Sequence, residues 1–324
     1  VTPVRRFSRV LRRIGNTVLR EAIRSGGLLL VVTFGMFAIL TLAPGDPVSM
    51  YVNVQSLSPE EVEAVRHELG LDRSFPVRYG TWLFRIAQGD LGTSLRSGRP
   101  VAQDLWETGW RTLFLTGSAM ILTLLFSSVT AYLSATDRHP GWASALTAAG
   151  YALSGVPVYW LGYVVIYVAT TRFNVFPVMS GASTSGAWPW AMFLVPVFVL
   201  GLGNGTVSEV TRHLRGHLET VLTEDYIRTA RAKGARLWRH LYKDGFVMPL
   251  SSLVASKTPY MLGGAVIVEQ VFNWPGMGRL AWQAALDRDY PVLLGITLVA
   301  ALVIRVGHMI KEATQVAVNP QLAS

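Results

Sequence analysis

A chain that avoids charge over much of its length keeps EDYIRTARAKG at 224–234, Lys257, Glu269, Arg305 and the pair His308 and Glu312. These are the side chains whose types and spacing could do chemistry. They form no nucleophile–base–acid set: cysteine is absent and the six histidines are scattered. The phosphate cradle G-x-x-x-x-G-K-[ST] is missing as well, so nucleotide is not held by that route. His308 and Glu312 stand four apart, a spacing that suits ligands, yet two residues do not make a metal site and an i,i+4 surface pair is commoner. No catalytic residue, metal site or cofactor is expected in this chain. The chemistry on offer is recognition.

Within EDYIRTARAKG, Glu224 and Asp225 open a helix and Arg228, Arg231 and Lys233 close it, the order the helix dipole prefers. Gly234 then suits the left-handed conformation that stops a helix. A second short helix should follow at once. Ile227, Ala230, Leu237 and Leu241 recur at helical spacing and give each helix one apolar stripe. Ala230, Ala232 and Gly234 are small enough to let another backbone come close. Such a segment either rests on lipid headgroups or docks into a groove on a cytoplasmic partner. The small surface and the leading acids favour docking.

The elements that must position these residues are membrane spans. The chain is 324 residues long, 51% apolar and 15% charged, against about 25% charged in soluble domains. No charge falls between Thr112 and Thr136 or between Pro140 and Thr171, and a crossing needs roughly 20 mostly apolar residues. The expected class is an all-α integral membrane protein with six transmembrane helices. Residues 1–24 form a basic cytoplasmic or interfacial segment with seven arginines against Glu21 alone. The first span covers 25–43 and is read as retained rather than cleaved, since LAPGDP lacks a small-x-small pattern. Residues 44–110, with nine acids, six arginines and a capped helix in SPEEVEAVRHELGL, should form a small extracytoplasmic subdomain between helices 1 and 2. Residues 111–324 are the core, with spans near 112–135, 146–170, 187–208, 246–272 and 291–311.

Charge sets the orientation. From Arg212 to Asp244 eight Lys and Arg stand against four acids, so the segment 212–245 faces the cytoplasm, as do both termini. The loop at 173–186 and NWPGMGRLAWQAALDRDYP at 273–291 fall outside. The net charge of +9 gathers beside the spans, which argues against nucleic acid as a partner and for the lipid bilayer.

Lys257 lies near the middle of the fifth span, where a lysine costs about 2.5–3.5 kcal/mol. It must face protein or a water-filled cavity. It either meets an anionic group on a bound solute or hydrogen-bonds neighbouring helices. Arg305 sits near the cytoplasmic end of the sixth span and can snorkel.

TARAKG, followed about fifteen residues later by Pro249, resembles the EAA motif of ABC-importer membrane subunits. Nearly end to end, the chain resembles the dipeptide/oligopeptide/nickel permease family: LAPGDP (42–47), ELGLDRSFPVRYGTWL (68–83), GDLGTSLRSGRPV (89–101), DYIRTARAKG, GGAVIVEQVFNWPGMGRL (263–280) and RDYP (288–291). The resemblance implies a type I importer fold in a prokaryotic cytoplasmic (inner) membrane. It implies a second homologous permease subunit, two ABC ATPase subunits that hold ATP and Mg, and an extracytoplasmic substrate-binding protein. Carried over by position, Glu224, Tyr226, Thr229, Ala230, Ala232, Lys233 and Gly234 contact an ATPase. Glu269, Trp274, Pro275 and Gly276 belong to the external gate region. Lys257 departs from a family glutamine and, with Tyr260, is assigned to the substrate path. The tail NPQ (319–321) stands where the family has DPR. The implied function is a translocation path for peptides or a related small solute. A nickel or metallophore permease shares YGTWL and WPG-x-G-R, and is the alternative within the family. An ion-coupled secondary transporter would need acids inside spans and an internal repeat; Glu269 is the one candidate acid and no repeat is visible.

Overall fold

The computed structural model describes residues 3–42, 59–68, 72–136, 139–173, 189–203, 205–236 and 238–318. Ser58, Gly70, Leu237, most of LAPGDP, nearly all of the 173–186 loop and NPQ lie outside the described residues. The fold is all-α. Among the described residues the extended pairing is one isolated bridge between Thr93 and Pro100.

In chain order the helices are α1 (Pro3–Leu42), α2 (Pro59–Glu68), α3 (Phe75–Ala87), α4 (Val101–Thr136), α5 (Pro140–Ser154), α6 (Val158–Phe173), α7 (Pro189–Gly203), α8 (Thr206–Thr223), α9 (Asp225–Ala232), α10 (Trp238–Leu241), α11 (Met248–Val271), α12 (Met277–Leu286) and α13 (Tyr290–Val318). A π-helical turn, Tyr242–Val247, joins α10 to α11. The basic segment and the apolar run after it are one continuous 40-residue helix. Three stretches are long and apolar enough to cross a bilayer: Leu19–Leu42, Val101–Thr136 and Tyr290–Val318. Two bent pairs also qualify, α5 with α6 and α7 with α8. The stretch expected as one straight span at 146–170 is thus two helices bent by 103°. Pro157 explains the break, because it lacks an N–H and disfavours helical backbone at Val156.

The chain divides into two compact units, to both of which α1, α4 and α13 contribute. The first holds Val1–Ala22, Thr112–Trp274 and Ile304–Ser324. One of its cores gathers Leu115 and Ala119 from α4, Leu200 from α7, and Met261, Ala265 and Val268 from α11. Between spans there is no water to expel, so packing relies on close approach and shared hydrogen bonds. Gly201 shows both: a Cβ there would lie 2.9 Å from the Ala119 carbonyl oxygen, and the Thr123 hydroxyl donates to the Gly201 carbonyl at 2.6 Å. Another core joins Ala131 of α4 to Val210, Leu214 and Leu218 of α8 and to Phe246 and Leu253. Arg305 is not a lone snorkelling charge, since its guanidinium donates to Glu21 Oε2 at 2.6 Å.

The second unit holds Ile23–Arg111 and Pro275–Val303, so the described part of segment 44–110 groups with part of α1 and with the stretch after WPG. Phe34, Phe37, Phe75 and Tyr79 meet edge to face with centroids about 5.4–5.5 Å apart, a favoured aromatic geometry. Two distant motifs meet here. Asp289 of RDYP is 3% exposed and accepts from the Ser94 hydroxyl at 2.5 Å and the Arg96 backbone N–H at 3.3 Å. Arg96 also pairs with Asp287 at 2.5 Å. Asp289→Ala strands buried donors, so a loss of ~2–3 kcal/mol is expected. Amide exchange rising first in residues 88–100 would report it; unchanged protection would refute it.

Candidate functional site

The segment around α9 is built from its ends. Glu224 is the N-cap and leaves the helical region with ψ 143°. At the other end Gly234 adopts φ +67°. Its N–H donates to the Arg231 carbonyl at 3.0 Å, and the Ala235 N–H reaches the Ala230 carbonyl at 2.9 Å. That crossed pair is the Schellman stop, which satisfies two carbonyls the helix would leave bare. The apolar stripe is anchored inward, with Ile227 fully buried and Ala230 6% exposed. Tyr226, Thr229, Ala232, Lys233 and Gly234 face out. The seven assigned contact residues therefore divide, because Ala230 is turned into its own subunit. The Tyr226 hydroxyl donates to Asp244 Oδ2 at 3.3 Å. Burial first, then the Asp244 carboxylate, holds this phenol above its ordinary range, so it stays a donor.

Lys257 is 5% exposed. Its ammonium forms an ion pair with Glu209 of α8, and it also lies 4.9 Å from the centroid of the Tyr260 ring, within cation–π range. Tyr260 itself is 65% exposed. Lysine and tyrosine are brought together, then, and the charge is compensated by a residue the sequence reading passed over. Glu209 lies in the first turn of α8, four residues from His213. Only the packing of α8 against α11 reveals its partner.

Glu269 lies twelve residues, about 18 Å, further along α11. It is fully buried and accepts from the Thr112 hydroxyl of α4 at 2.5 Å. Thr112 had served only to mark the edge of an uncharged run. Its removal in Thr112→Val is expected to cost ~1–3 kcal/mol, the penalty for leaving a buried polar group short of a partner. A lowered thermal midpoint in detergent would show it; an unchanged midpoint would contradict it. The Trp274 backbone N–H donates to the Glu269 carbonyl at 2.8 Å, and its ring lies 6.0 Å from Phe193. In the second unit, the Pro275 carbonyl accepts from Arg111 at 3.4 Å, while Gly276 caps α12 in extended backbone.

The arrangement offers an exposed helix on one apolar anchor, a compensated charge within α11, and a buried, hydrogen-bonded glutamate further along the same helix. Comparison with known proteins adds relatives. The family described as the binding-protein-dependent transport system inner membrane component matches residues 123–324. Its N-terminal counterpart matches residues 14–99. An oligopeptide transport system permease protein of Bacillus subtilis is 32% identical over 94% of this chain and 98% of its own length. A glutathione transport system permease protein of Pectobacterium atrosepticum is 33% identical over 91% of this chain and 94% of its own. A putative peptide permease protein of Brucella ovis is 32% identical over 91% and 95%.

Proposed function

The chain belongs to the binding-protein-dependent transport system inner membrane component family, and from that premise we propose how its parts divide the work of import. It is a permease subunit of an ABC importer in the inner membrane, in a family that works with ATPase and substrate-binding partners. The proposal assigns it a second homologous permease, two ATPase subunits that supply ATP and Mg, and one external binding protein. Both termini and segment 212–245 face the cytoplasm. Six spans are Leu19–Leu42, α4, the α5–α6 pair, α7 with the start of α8 as far as Thr211, α11 and α13. Although α11 carries Lys257 and Glu269, both are buried against protein, and its 24 residues reach ~36 Å.

The observation that carries the reading is α9. It is capped at both ends, anchored by Ile227 and Ala230, and leaves Tyr226, Thr229, Ala232, Lys233 and Gly234 exposed. That is a helix built to transmit displacement from a separate motor. Closure of the ATPase pair on ATP would push it, and ATP would favour whichever permease state it binds better. Glu269 and Trp274 of the first unit, and Pro275 and Gly276 of the second, are each assigned to the external gate region. Tyr260 lines the path with Lys257 behind its ring. A substrate carboxylate would reach that ammonium only by displacing Glu209.

Peptides are the proposed substrates, since the relatives above are named for oligopeptide, peptide and glutathione transport. Purification of the tagged chain should bring down a stoichiometric ATPase, and proteoliposomes holding the set should take up labelled peptide only with ATP and the binding protein. Uptake of a nickel chelate but not peptide would move the chain to the metallophore branch. Uptake without any ATPase would overturn the reading.

A further inference from the structure

A cavity of about 310 Å³ opens between α5 and α8 in the first unit. Thr147 and Tyr151 come from α5, and Thr211, Arg212, Arg215 and Glu219 from α8. The last four share one face of α8, since successive turns bring residues three and four apart together. Arg212, Arg215 and Glu219 open the segment 212–245, but none of the six belongs to the contact set on α9 or to the gate region.

Thr211 is the informative residue. A threonine within a helix ordinarily folds its hydroxyl back on the carbonyl four residues earlier, as Thr116, Thr123 and Thr130 do. Thr211 is 6% exposed, yet its hydroxyl has no hydrogen-bond partner among the described residues. A buried polar group is normally satisfied, so this one, in the cavity wall, awaits an acceptor or donor from outside the chain. Its neighbours say which. Arg215 donates through Nε to Glu219 Oε1 at 2.7 Å, which offsets one charge. Arg212 makes no ion pair within 4 Å among the described residues; the carboxylate that feels its charge, Glu209, already pairs with Lys257. Two cations against one anion leave the lining at a net single positive charge, the complement of one phosphodiester anion. Guanidinium groups suit phosphoryl oxygens because their N–H donors lie in a planar fork.

We propose that the α5–α8 cavity binds a phosphate-type anion, with Arg212 and Arg215 on its oxygens and the Thr211 hydroxyl donating to one of them. Membrane phospholipid is the source to which the observations point. Both helices are halves of bent pairs apolar enough to cross a bilayer, and Trp142 and Tyr151 of α5 are 70% and 56% exposed. Amphipathic aromatics of that kind concentrate at the membrane–water boundary. The site is independent of the transport reading and is tested by binding alone.

The test is native mass spectrometry of the full chain, purified with its partner subunits and delipidated, then titrated with phosphatidylglycerol or zwitterionic phosphatidylcholine. Retention of phosphatidylglycerol about tenfold above phosphatidylcholine is expected, with the excess lost in T211V/R212Q. Arg228→Gln, on exposed α9, should keep it. If T211V/R212Q lowers the lipid-free thermal midpoint, Arg212→Gln alone replaces it and should still reduce retention several-fold. Equal retention of both lipids, or retention unchanged in the variants, would overturn the proposal. Inorganic phosphate retained in place of phosphatidylglycerol would overturn the lipid source.

Discussion

Ala232→Trp is expected to cut ATP-dependent uptake by about thirtyfold or more while leaving the chain folded in the membrane. A loss of that size corresponds to ~2 kcal/mol, the scale of a disrupted interface hot spot. The position separates coupling from folding. Ala232 is exposed at the end of α9, so an indole there points away from the subunit's own interior, toward the proposed ATPase contact. Ala230→Trp would lack that virtue, because Ala230 is 6% exposed and a bulky ring would overpack its own subunit, at a typical cost of ~1–3 kcal/mol. Gly234→Pro attacks the same lever by another route. The glycine sits at φ +67° and a Cβ would meet nothing within 4 Å, so space is not the constraint. Proline fixes φ near −65° and removes the N–H that reaches the Arg231 carbonyl, which undoes the helix stop. Both variants should reach the membrane at normal levels and fail to hold the ATPase on purification. Normal peptide uptake by well-expressed Ala232→Trp would sink the coupling assignment.

How much of this was legible beforehand depends on whether a feature is written locally. The ends of α9 are: acids, a basic close and Gly234 lie within one short stretch, and the dipole and the left-handed stop act over single turns. The apolar runs are local too, so the fold class could be read from them. The bend between α5 and α6 was written in Pro157 and missed, because hydropathy averages over the break. What no window could show was partnership. Asp289 with Ser94, Glu269 with Thr112, and Lys257 with Glu209 join residues that stand 195, 157 and 48 positions apart. The acids and the lysine were conspicuous in their apolar surroundings; their partners were ordinary until packed. Ala230 illustrates the same limit in reverse. Its size suggested an intermolecular contact, whereas the stripe with Ile227 turns it inward.

The pairing of Lys257 with Glu209 leads to an unequal pair of outcomes. Neutralising either residue deletes the same interaction, but what is left behind differs. Glu209→Gln strands an ammonium whose side chain is 6% exposed, while Lys257→Gln strands a carboxylate that is 42% exposed. The stranded carboxylate still reaches solvent and lies 4.0 Å from His213. The stranded ammonium retains the Tyr260 face at 4.9 Å, worth about 2 kcal/mol at best when desolvated, against ~3–5 kcal/mol typical of breaking a buried pair from one side. Glu209→Gln is therefore expected to lower stability by ~2–3 kcal/mol and Lys257→Gln by ~1 kcal/mol or less. The double variant should recover most of the loss, since no charge then remains to be buried. Thermal midpoints of the four proteins in one detergent would give the coupling energy directly. The pair also bridges α8, which leads into α9, and α11, which carries Glu269 two residues before its end. Uptake should therefore fall with stability in Glu209→Gln and return in the double variant if the bridge serves only to neutralise charge. Should uptake stay low after stability returns, the ionic bond itself carries motion between the two helices. If Glu209→Gln proves no more harmful than Lys257→Gln, burial does not govern this pair and the assignment of Lys257 as a compensated charge is wrong.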